Sequence, residues 1–70
     1  MTIKEMREKT YLSQSKFGKL LDIPTANIAK WEQGISSPPP YVIKLIAYRL
    51  LQLGLLEPKD VDKIKEDDTL

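Results

Sequence analysis

Seventy residues, 41% of them hydrophobic, are expected to form one domain around one small core. The chain has neither cysteine nor histidine, which excludes a disulfide framework and thiolate metal sites and removes the commonest catalytic base. Net charge is only +1, so total charge alone implies no polyanionic partner. Its distribution says more. Residues 1–30 carry six bases against three acids, and residues 51–70 carry three bases against six acids. That gradient would orient the domain near a polyanion with its N-terminal part inward, although a solvated mixed-charge surface has the same composition. All apolar runs are shorter than the roughly 18–20 residues of a membrane span. Met1 leads directly into charged amphipathic sequence without a signal-peptide pattern, so a cytoplasmic, all-helical protein is expected. The remaining Ser, Thr, Tyr, Lys and carboxylates show no catalytic spacing. No enzyme activity, metal or cofactor is expected.

In chain order, Thr2-Ile3-Lys4-Glu5 has the capping-box pattern, with each side chain able to satisfy the other residue's backbone N–H. A first helix is predicted over residues 3–9, turning Ile3 and Met6 inward. Ser13 is a good N-cap for a second helix over 14–21, whose Phe17, Leu20 and Leu21 follow the i, i+3, i+4 spacing of a buried face. Pro24 disfavours helix at the preceding residue and forces a stop near Asp22. A third helix is predicted over 25–33, with Ile28 and Trp31 inward and Gly34 closing it. Two helices of eight to ten residues joined by so short a turn form a helix-turn-helix unit.

Ile35-Ser36-Ser37-Pro38-Pro39-Pro40 is then a stiff loop, and Pro40 suits the first turn of a fourth helix over 40–53. That helix has two adjacent apolar stripes, one of Val42, Leu45, Ile46 and Leu50, the other of Ile43, Ala47 and Leu51. One should pack on the core. The other, extended by Leu55, should meet a fifth helix, a second subunit or a protein partner. The fifth helix is predicted over 58–65 with Val61 and Ile64 inward, closing a domain of residues 1–66 before a frayed tail at 67–70.

Leu12-Ser13-Gln14, Phe17, Leu20-Leu21, Ile28 and Trp31-Glu32-Gln33-Gly34 together resemble the DNA-binding domain of the phage-repressor (XRE-type, Cro-like) transcription factors. The resemblance covers about Ile3 to Leu53. It implies a lambda-repressor-like, compact all-α bundle of about five short helices, with the helix-turn-helix at helices 2 and 3. It also implies double-stranded DNA as partner, a homodimer, and regulation of transcription, most simply repression at a palindromic operator.

The candidate readers follow from groove geometry as well. A major groove about 12 Å wide admits one helix, whose N-terminal residues and the next turn meet the base edges. Thr25, Ala26, Asn27 and Lys30 occupy that stripe and match base-contacting positions of the family. Lys30 can donate to guanine, Asn27 can bond adenine or a phosphate, and the Thr25 and Ala26 methyls can touch thymine. Ala26 is small where the family often carries Gln or Arg, so DNA shape should supply part of the specificity. Gln14 matches a phosphate-binding position at a helix N-terminus. Ser13, Lys16, Lys19, Ser36 and Ser37 are further phosphate candidates, with Lys44 beyond them. Arg7 and Glu32 match positions that pair in the family, the Arg fork suiting a bidentate carboxylate. A protein-binding regulatory module, antitoxin-like and gripping its partner through Ile43, Ala47, Leu51 and Leu55, is the alternative reading. Helix 3 discriminates between the two, because a DNA reader must keep its outer stripe exposed and free of acids.

Overall fold

The computed structural model describes residues 1–62. Five helices run in the order α1 (Ile3–Thr10), α2 (Gln14–Leu21), α3 (Thr25–Gln33), α4 (Pro40–Gln52) and α5 (Pro58–Val61). No strand occurs among the described residues. Helix α1 extends one residue past its predicted end and α4 stops one short. The predicted helix over 58–65 is described as far as Val61, and its remainder, Ile64 and the tail at 67–70 lie outside the described residues.

Local chemistry explains several of these boundaries. The Thr2 hydroxyl accepts from the Glu5 N–H at 3.1 Å, and the Glu5 carboxylate accepts from the Thr2 N–H at 2.8 Å. Ser13 caps α2 by accepting from the Lys16 N–H at 3.1 Å. Helices α2, α3 and α4 all end in the same reciprocal motif. The Ile23 N–H reaches the Gly18 carbonyl and the Asp22 N–H that of Lys19, at 2.9 and 3.3 Å. Ile35 and Gly34 do likewise to Lys30 and Trp31, and Leu55 and Gly54 to Leu50 and Leu51. Such an ending requires a left-handed residue, supplied by Gly34 and Gly54 in two cases and by Asp22, at φ 58°, in the third. Aspartate tolerates that region better than most side chains.

The core is drawn from every part of the described chain. Ile3 and Met6 of α1, Phe17 of α2, Ile28 of α3, Ile46, Ala47 and Leu50 of α4, and Leu56 before α5 are buried together. Phe17, Met6, Ile28 and Leu50 are the largest fully buried side chains, each contributing about 1.5–3 kcal/mol of hydrophobic stabilisation. Leu12, Leu20, Leu21, Ile23 and Trp31 pack around them. Helix α3 rests on both α1 and α2, while α5 packs on α4. An ion pair between Lys9 Nζ and Asp60 Oδ1, 3.3 Å long, joins α1 to α5, and the buried Asp60 also accepts from the Glu57 N–H at 3.0 Å.

Helix α4 is rotated relative to its predicted setting. Ala47 is 0% exposed and belongs to the core, so it cannot serve a partner face. Leu45, predicted for the core stripe, is 62% exposed. Ile43 and Leu55 pack against the core at half-burial, and Leu51 is also half-buried. The exposed apolar stripe is instead Tyr41, Leu45 and Tyr48, spaced i, i+4, i+7, with Leu53 beyond. With apolar residues around most of its circumference, this helix has no periodic signal strong enough to choose its inward side. The closed core chooses it, burying Ile46, Ala47 and Leu50 together.

Candidate nucleic-acid interface

The helix-turn-helix depends on a close approach between α2 and the turn that follows. Gly18 is buried there, and a Cβ built on it would stand 2.6 Å from the Ile23 carbonyl oxygen. Sequence reasoning passed over this glycine. Its signal was available, since glycine within an amphipathic helix weakens that helix and therefore calls for a packing reason.

The turn sets α3 with Ile28 inward and fully buried, and Trp31 half-buried beside the core. Thr25, Ala26, Asn27 and Lys30 are all exposed, as is Gln33. Helix α3 has no acid before Glu32. Its N-cap is Pro24, which offers no side-chain cap. The Pro24 carbonyl accepts from the N–H groups of Asn27 and Ile28, at 3.0 and 3.4 Å. The body measures 26 × 26 × 17 Å, far wider than a major groove of about 12 Å, so only a helix on its outer edge can enter.

Behind this stripe lies a polar network. Arg7 Nε donates to Glu32 Oε2 at 2.6 Å and Nη2 donates to Oε1 at 2.9 Å, a bidentate pair whose side chains are 18% and 5% exposed. Gln14 Nε2 donates to the same Glu32 Oε1 at 3.1 Å. The hydrogen bonds from Arg7 hold the Glu32 carboxyl below the usual carboxylate range against the opposing effect of burial, with Gln14 assisting. The same bonds raise the Arg7 guanidinium further above its ordinary value. Glu32 thus joins the end of α3 to α1 and to the start of α2. Gln14 is half-buried and has an amide N–H on Glu32. Ser13, Lys16, Lys19, Ser36 and Ser37 are exposed, while Lys44 is half-buried.

The third Arg7 contact leads into the α1–α2 turn. Arg7 Nη1 donates to the Leu12 carbonyl at 3.0 Å, and the Thr10 hydroxyl donates to the Arg7 carbonyl at 2.6 Å while accepting from the Leu12 N–H at 3.2 Å. Between these bonds sits Tyr11, left-handed at φ 60° and ψ 18°, with its N–H on the Glu8 carbonyl at 3.2 Å. A non-glycine residue held in that region costs about 1–2 kcal/mol.

Among the described residues no group of three metal-ligating side chains gathers, and no helix is long and apolar enough to cross a membrane. A helix-turn-helix with an acid-free outer stripe on its second helix, braced from behind by a bidentate ion pair, defines a DNA-binding domain of the regulatory kind. A helix-turn-helix family model matches residues 3–54, and the chain belongs to the XRE-type, Cro-like helix-turn-helix family. No curated protein and no solved structure matches the chain.

Proposed function

We propose that the protein binds double-stranded DNA sequence-specifically, as a dimer on a palindromic operator, and represses or otherwise regulates transcription inside the cell. The observation that carries this reading is the outer stripe of α3. Thr25, Ala26, Asn27 and Lys30 are exposed together on a helix anchored by Ile28 and by the Arg7–Glu32–Gln14 network. In the groove, Lys30 donates to guanine O6 and N7 and Asn27 bonds adenine or a phosphate, while the Thr25 and Ala26 methyls meet thymine. Gln14 and Ser13 at the start of α2, Lys16 and Lys19 along it, and Ser36 in the following loop hold the flanking phosphates. Phosphate contacts set register and affinity; base contacts set sequence. A dimer then places two copies of α3 about 34 Å apart, one turn of the duplex.

Selection of bound sites from a random duplex pool, with Lys30→Ala beside the parent, tests the reading. A palindromic motif whose preference relaxes at one base position per half-site in the variant is the expected result, with a loss of about 1–3 kcal/mol at that position. Failure of the parent to enrich any motif at low salt would overturn it. The exposed stripe of Tyr41, Leu45 and Tyr48 favours a second reading, in which the domain chiefly engages a protein through α4.

A further inference from the structure

We infer that Tyr11 is a DNA-backbone contact of this interface, its hydroxyl donating to a phosphate oxygen and its ring lying over the adjoining deoxyribose. The inference rests on the DNA-binding reading above and adds to it a residue outside the helix-turn-helix motif. Tyr11 is 95% exposed, the most exposed large apolar side chain described, so folding gains almost nothing from its ring. It nevertheless occupies a left-handed backbone position where glycine would be unstrained.

Four hydrogen bonds, donated by the Tyr11 N–H, the Arg7 guanidinium, the Thr10 hydroxyl and the Leu12 N–H, hold the turn around it. Strain of this kind persists only where the surroundings over-determine it, and it clusters at functional sites. Aspartate tolerates the region at position 22, whereas a bulky tyrosine at position 11 has no such tolerance. The surroundings also indicate the partner. Tyr11 lies three residues before Gln14 at the start of α2, and Arg7 fastens its turn to the carboxylate that holds Gln14 and the end of α3. The tyrosine is therefore part of the same braced assembly as the expected phosphate contacts. A phenol suits a phosphate flank, with an O–H donor for the oxygen and an apolar ring face for the sugar.

The test compares the parent, Tyr11→Phe and Tyr11→Gly on a mixed-sequence duplex of about 30 base pairs over a salt series. Tyr11→Gly removes the strain, so its melting temperature is expected to stay level or rise by a few degrees, which separates lost binding from lost folding. Its DNA affinity is expected to fall about tenfold, with Tyr11→Phe falling about threefold through loss of the hydroxyl alone. The dependence of affinity on salt should keep its slope in both variants, because a neutral donor releases no counterion, whereas Lys16→Ala should lower the slope by about one. Parent-like affinity in both Tyr11 variants overturns the contact while leaving the DNA-binding reading intact. No duplex binding by the parent at low salt overturns both.

Discussion

Glu32 shows how one carboxylate can brace three helices from a single point. Its two oxygens receive three donors, two from Arg7 and one from Gln14, so three helices are referenced to one point. Replacing it by Gln leaves Arg7 without its counter-charge. The expected loss is about 2–3 kcal/mol, below the ~3–5 of a fully buried pair because Arg7 keeps part of its hydration. The pH dependence has a definite sign. The Glu32 carboxyl is held below its ordinary range in the folded state, so its contribution is present above that range and disappears as pH falls through the depressed folded value. The Arg7 shift is upward, so its contribution is present throughout the neutral and acid range and adds no slope there. Urea midpoints measured from neutral to acid pH should therefore fall less steeply in Glu32→Gln than in the parent. Parallel curves would mean that the pair has no part in acid sensitivity.

At the scale of the element, the α2–α3 unit is defined by what cannot fit. Alanine at position 18 would improve helix propensity by about 0.5–1 kcal/mol, yet its Cβ would press on the Ile23 backbone carbonyl at 2.6 Å. A backbone oxygen cannot rotate away as a side chain can, so the overpacking cost of about 1–3 kcal/mol should prevail. Gly18→Ala is thus expected to lose about 1 kcal/mol net in urea unfolding and to weaken DNA binding by tilting α3. A stabilised variant would show that the turn can yield. The α4 helix is the opposite case, defined by surplus. It covers the core with Ile46, Ala47 and Leu50 and still exposes Tyr41, Leu45 and Tyr48.

For the whole molecule, that surplus is the natural place for the proposed dimer contact, since a single module of this size makes few phosphate contacts and gains from doubling them. Leu45→Glu should leave the fold intact, because the residue is exposed. It should weaken self-association at least about tenfold, by putting a charge into the paired apolar surfaces. Sedimentation equilibrium across a concentration series measures this directly. Equal self-association of variant and parent would move the contact off α4.

Much of this protein is legible in its sequence because its information is local. The Thr2–Glu5 capping box, the Ser13 cap, the Pro24 stop and the Gly34 ending act over four or five residues, and the i, i+3, i+4 spacings mark which sides of α2 and α3 turn inward. The exposure of Thr25, Ala26, Asn27 and Lys30 follows from the same periodicity once Ile28 is placed inside. The inward side of α4 does not follow. Apolar residues on both of its sides make the periodic signal degenerate, and only the assembled core buries Ala47 while leaving Leu45 in water. The need for glycine at position 18, the left-handed setting of Tyr11 and the sharing of Glu32 between Arg7 and Gln14 likewise arise only in three dimensions. Each depends on how closely two segments distant in the chain, or two turns of one motif, approach once the core has closed.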